Sequence, residues 1–117
     1  MNEEEFKSRT KGFAVQIMRL VNRLPTTTSA QAVSRQLVRS AGSVGANYRA
    51  SCRAKSVSDM LAKLAIVEEE ADESQFWLEI LVESGILDIT DVSSLLGEVD
   101  EIIAMVVASI KTLRQRL

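Results

Sequence analysis

Val92-Ser93-Ser94-Leu95-Leu96-Gly97-Glu98-Val99-Asp100-Glu101-Ile102-Ile103-Ala104-Met105-Val106-Val107-Ala108-Ser109-Ile110-Lys111-Thr112-Leu113-Arg114-Gln115-Arg116-Leu117 is the stretch that decides the fold. Apolar side chains recur at Val92, Leu96, Val99, Ile103, Val106, Ile110, Leu113 and Leu117, alternating steps of four and three with no polar residue among them. Such steps return to one face of an α-helix, and the seam is far longer than a strand. The segment therefore reads as an amphipathic helix that packs on other helices.

Working towards the N-terminus, Asp88 or Thr90 opens this last helix, and Gly85 stands where a left-handed C-cap ends the one before. The third helix starts at a capping box, Ser56 with Asp59, and its seam runs Met60, Leu64, Val67, Ala71, Ser74, Leu78, Leu81. The second is capped by Thr28 with Gln31 and continues to about Ala54 on Val33, Leu37, Ala41, Val44, Tyr48 and Cys52. The first spans about Glu3 to Arg23 on Phe6, Phe13, Ile17, Leu20 and Leu24, with a gap at Thr10 and a stop at Pro25. Short loops between long helices force antiparallel neighbours. The expected fold is all-α, an up-down-up-down four-helix bundle forming a single domain over residues 1–117.

Composition narrows the chemistry. The 117 residues are 46% hydrophobic, which suits one domain around one core. There is no histidine and a single cysteine, Cys52. Imidazole general acid–base work, Ser-His-Asp and Cys-His nucleophiles, and ordinary zinc sites are therefore ruled out. A disulfide framework is excluded too, so the expected compartment is the reducing cytoplasm, and Cys52 reads as a small core hydrophobe. The acidic start Met1-Asn2-Glu3-Glu4-Glu5 is not a secretory leader, and the longest uncharged runs, residues 24–34 and 102–110, fall short of the ~20 residues that cross a bilayer. The acidic run Glu68-Glu69-Glu70 with Asp72-Glu73 lacks the Glu-x-x-His pairs of di-iron bundles, so no metal or other cofactor is expected. The reading is a cytoplasmic, non-membrane, non-enzymatic protein.

Charge is the anomaly. Ten basic residues and no acidic one lie between Phe6 and Ser58, whereas residues 59–117 carry thirteen acidic and four basic ones. The net charge of −2 hides this polarity. Arg35, Arg39, Gly42, Ala46, Arg49 and Arg53 share one stripe of the second helix, with Arg39 and Arg49 about 15 Å apart at 1.5 Å rise per residue. Arg9, Gln16, Arg19 and Arg23 form a second stripe on the first helix. Arginine suits bidentate phosphate or carboxylate contact. Two readings follow: a face that binds RNA or DNA through Arg35, Arg39, Arg49, Arg53, Arg19 and Arg23, or arginines paired with Glu69, Asp72, Glu79 and Glu83 within or between subunits, in a protein-binding assembly factor without nucleic acid.

Small and apolar residues outside the seams point to self-association. Gly42 and Ala46 are small residues inside a helix, expected where another element comes close. Met18, Ile66, Trp77, Ile80, Leu95, Ile102 and Met105 are apolar and unused by the seams. Together they form the expected homo-oligomer interface.

The segments Gln36–Ala50 (QLVRSAGSVGANYRA), Arg53–Ser56 (RAKS) and Lys63–Leu78 (KLAIVEEEADESQFWL) closely resemble the four helix bundle protein family encoded within intervening sequences of bacterial 23S ribosomal RNA genes. The resemblance covers essentially the whole chain. It implies a bundle assembled as a homopentameric ring with a central channel. It also implies kinship with the accessory variability protein of diversity-generating retroelements, which acts with a reverse transcriptase and nucleic acid. The implied partners are therefore a second copy, RNA or DNA, and a reverse transcriptase or other protein. The family supplies no catalytic motif to carry over.

Overall fold

The structure, a computed structural model, describes residues 2–117; Met1 of the acidic N-terminal run lies outside the described residues. Four helices follow in order: α1 (Glu3–Val21), α2 (Thr28–Ser51), α3 (Val57–Glu83) and α4 (Ile89–Arg114). Their boundaries have local causes. The Asn2 side chain accepts the Glu5 N–H at 2.8 Å and caps α1, whose first turn carries three glutamates where the helix dipole favours negative charge. α1 stops at Val21, two residues earlier than the apolar pattern suggests, because the chain tightens before Pro25 through Arg23 N–H to the Leu20 carbonyl and Leu24 N–H to Val21. Thr27, one position before the residue expected, caps α2 by accepting the Ala30 N–H at 3.3 Å, and α2 ends at Ser51. Ser56 caps α3 by accepting the Asp59 N–H at 3.0 Å, while Asp59 reaches back to the Lys55 N–H at 3.1 Å. Asp88 opens α4, with its N–H held by the Asp91 carboxylate at 2.9 Å. Gly85 has φ +81, the left-handed turn that lets the Leu87 N–H reach the Leu81 carbonyl at 2.9 Å.

The helices pack as an elongated bundle, 47 × 21 × 20 Å, with α2 against α3 the most extensive contact and α1 against α4 the least. One core runs through all four. The expected seams of α1 to α3 are buried apart from Leu24, Cys52 and Met60 at the bundle ends, which are half-buried. Thr10 fills the gap in the α1 seam by donating its hydroxyl to the Phe6 carbonyl at 3.0 Å, so its polar atom is satisfied inside the core. The one hydroxyl of the α3 seam, Ser74, meets Ser40 of α2 at 2.9 Å in the same way.

α4 corrects the sequence reading. Leu95 and Ile102, expected at an interface between copies, are buried in the chain's own core, while Leu96 and Ile103 of the expected seam lie half-buried on its edge, and Leu117 is exposed. Both rows are apolar and both obey helical spacing, so periodicity does not choose between them. The choice is made by the way neighbouring helices pack on α4, chiefly α3.

The closest approach of two helices also differs from expectation. A Cβ at Gly42 would meet nothing within 4 Å, and Ala46 is exposed. At Gly45, by contrast, a Cβ would lie 3.3 Å from the Thr10 carbonyl oxygen and 3.6 Å from the Lys11 Cα. Gly45 is where the α1 and α2 backbones need the absence of a side chain. Gly45→Val should therefore lower stability by about 1–3 kcal/mol through overpacking, whereas Gly42→Ala should raise it by up to about 1 kcal/mol through helix propensity. Urea unfolding of the two variants checks both signs, and equal shifts would contradict the packing described.

Candidate nucleic-acid interface

The α2 stripe faces away from the core, as Val33, Leu37, Ala41, Val44 and Tyr48 fix the opposite side of the helix inward. Arg35, Arg39, Ala46, Arg49 and Arg53 are exposed and Gly42 is half-buried. These arginines are not equivalent. Arg39 donates to Glu70 at 2.9 Å and also binds Glu73, which in turn accepts the Trp77 indole N–H at 3.1 Å. Arg39 and then Trp77 hold the Glu73 carboxyl below its usual range, and Glu73 and then Glu70 push the Arg39 guanidinium up. Arg39 is thus a tie between α2 and α3. The acidic residues named from sequence as its partners, Glu69, Asp72, Glu79 and Glu83, make no ion pair with an arginine among the described residues. The flank of α3 beside α2 is the one that carries Glu70, Glu73 and Ser74, the last already in contact with Ser40.

The α1 stripe lies elsewhere. Arg9 reaches α4, binding Glu98 through Nε at 3.0 Å and Glu101 at 3.3 Å, and the bonded Glu98 pushes its guanidinium up. Arg19 and Arg23 are exposed. The α1 stripe therefore borders α4, and the structure does not merge it with the α2 stripe. Among the described residues, no carboxylate lies within 4.0 Å of Arg19, Arg23, Arg35, Arg49 or Arg53.

What the structure does bring together is a groove of about 530 Å³ between α1 and α2. Its floor is Ala14, Gly42, Gly45 and Ala46, and its rim carries Lys11 and Arg49. Lys7 lines the far end, paired with Glu4 at 3.0 Å, which raises the Lys7 ammonium. Sequence reasoning overlooked Lys7 and Lys11. The signal was present, since Lys7, Lys11, Ala14 and Met18 recur at four, three and four residues on α1. A floor without long side chains lets a broad polyanion approach the cations on the rim, which is a geometry for phosphate contact without base readout.

The remaining interface candidates divide in two. Met18 is 46% and Ile66 40% exposed, whereas Trp77, Ile80 and Met105 are half-buried against the core. Phe76, at 49% exposure, is an apolar surface residue that the sequence reading passed over. No described helix is long and apolar enough to cross a membrane.

Comparison with known proteins adds two findings. Residues 3–108 match the model of the family described as 23S rRNA-intervening sequence protein. A crystal structure of a protein of unknown function from the S23 ribosomal protein family of Bacteroides thetaiotaomicron VPI-5482 is similar at 32% identity and a TM-score of 0.87, covering 95% of this chain and 99% of that one. No curated protein matches.

The Arg39–Glu73 tie predicts a pH dependence. A carboxyl whose pKa is lowered by folding stabilises the native state fully above its ordinary pKa, and the contribution fades as pH falls through the depressed value. For Glu73 the fading lies below its usual 4.5. Glu73→Gln should therefore melt lower than wild type at pH 7, with the two melting curves converging as pH falls below 4.5; a difference that stays constant with pH would contradict the ion pair.

Proposed function

The chain belongs to the 23S rRNA-intervening sequence protein family, and from that premise we propose that it is a non-enzymatic, self-assembling bundle that holds RNA or DNA by its phosphates along the α1–α2 face. The observation that carries this reading is the α1–α2 groove, where Lys11 and Arg49 stand over a floor of glycine and alanine. Arg35 extends the same exposed side of α2, and Arg53 is exposed in the turn just past its end. Local charge governs contact, so a sequence pI of 5.2 does not oppose it: the carboxylates of α3 and α4 that reach the basic helices are taken up by Arg39 and Arg9, which leaves the other cations to the phosphates. The S23 ribosomal name of the Bacteroides relative makes RNA the first ligand to try. Arg39 and Arg9 serve the bundle itself, so Arg35, Arg49, Arg53 and Lys11 carry the contact.

Wild-type protein should bind a labelled RNA in fluorescence anisotropy at ~50 mM salt, with affinity falling at a log–log slope of about −0.7 to −0.9 per phosphate engaged. Lys11→Glu with Arg49→Glu should weaken binding for all sequences alike and flatten the slope while leaving the melting temperature near wild type. Wild-type protein that binds neither RNA nor DNA at that salt would refute the reading.

Self-assembly is the second half of the proposal. Exposed Met18, Ile66 and Phe76 beside half-buried Trp77 and Ile80 leave apolar surface that a second copy would cover. The assembly proposed is a homopentamer, as the resemblance implies. Light scattering should report about five times the 12.9 kDa chain mass. Ile66→Asp should shift it towards monomer, because an exposed site tolerates the charge in the monomer but not in an interface. A monomer for the wild type at micromolar concentration would exclude it.

A further inference from the structure

Resting on the phosphate-contact reading above, we propose that the nucleic acid taken by the α1–α2 face is a duplex, held by its backbones, and not a single strand. The argument starts from where the five aromatic residues lie. Proteins that hold single strands combine a basic groove with exposed rings on which unpaired bases stack. Here Phe6, Phe13 and Tyr48 are buried, and Phe6 and Tyr48 stack on each other with centroids 4.3 Å apart, so their ring faces are occupied. The other two, Phe76 and Trp77, pack edge to face on α3, where the Trp77 indole N–H is bound to Glu73. Phe76 is exposed but stands within one helical turn of Asp72, Glu73 and Glu79. A strand stacked on it would bring its phosphates against carboxylates. No ring lines the α1–α2 groove, and the one stripe cation beside the rings, Arg39, is tied to the same Glu73 that holds Trp77.

The basic face has the complementary property. Arg35 to Arg49 form a row roughly 21 Å long at 1.5 Å rise per residue on one rigid helix, and Arg53 follows in the turn just past its end. Between its ends Gly42 and Ala46 project no side chain beyond Cβ, so a cylinder as broad as a duplex can settle on the row. A duplex is stiff over far more than this length, about 150 base pairs, and carries two charges for each one on a single strand. It meets a fixed row of cations without first being ordered. A flexible strand must be ordered on binding, and stacking, which ordinarily offsets that cost, has no ring to use here.

The experiment uses the full chain, fluorescence anisotropy at ~50 mM salt, and 20-base-pair DNA and RNA duplexes beside their separate strands and an abasic strand of equal length. Each duplex should bind at least about tenfold tighter than either of its strands. The abasic strand should bind as well as the base-bearing one. Equal or tighter binding of single strands, or loss of affinity on removing the bases, would overturn the duplex assignment while leaving phosphate contact standing. Tighter binding of the RNA than the DNA duplex, or the reverse, supports it and names the source. If neither duplexes nor strands bind, the phosphate reading fails, and this inference fails with it.

Discussion

The meeting of α1 and α2 at Gly45 is the constraint on which the rest of the surface depends. A side chain at that position would press on the Thr10 carbonyl oxygen, so glycine lets the two backbones approach where a bulkier residue would hold them apart. Thr10 is itself buried and bonded back to Phe6, which leaves the touching surface smooth. From this one approach follows the shallow floor of the α1–α2 groove, while the buried side of α2 turns Arg49 outward. The glycines of α2 each cost roughly 1 kcal/mol of helix propensity against alanine. They are kept where backbone approach or an open floor makes use of their size.

Charge is distributed by a second rule. The basic first half and the acidic second half of the chain meet along two edges of the bundle, and at each edge one arginine is committed: Arg39 to Glu70 and Glu73, Arg9 to Glu98 and Glu101. Arg39 is exposed and the Arg9–Glu98 pair half-buried, and solvent-screened pairs contribute little to stability singly. Their effect is on register, because each guanidinium touches two carboxylates one turn apart. Arg9 matters more than its energy suggests, since it ties α1 to α4 across the least extensive contact in the bundle. Among the described residues, Arg19, Arg23, Arg35, Arg49, Arg53 and Lys11 are left without such partners and face outward.

Much of this was legible in the sequence. Four helices, the Ser56 and Asp88 starts, the Gly85 stop and the inward faces of α1 to α3 follow from spacing and capping chemistry, because those rules act within a few residues. The inward face of α4 was not, since Leu95 and Ile102 compete with Leu96 and Ile103 at the same spacing and only the approach of neighbouring helices decides. The outward stripe on α2 was legible; which of its arginines was already bound was not, because Glu70 and Glu73 differ from Glu69 and Asp72 by one residue in register. Lys11 was overlooked for a related reason: its importance comes from Arg49 across the groove, a neighbour that no local pattern reveals.

The family match and the 32%-identical Bacteroides structure fix what kind of bundle this is, and the α1–α2 face is the part of it that asks for a ligand. The central claim is that this face, and no other, meets nucleic acid. Amide chemical-shift mapping on isotope-labelled protein titrated with a short duplex tests it residue by residue. The account predicts shifts concentrated at Lys11, Gly42, Gly45, Ala46 and Arg49, with α3 and α4 silent. Shifts centred on Phe76 and Trp77, or spread evenly over all four helices, would contradict it.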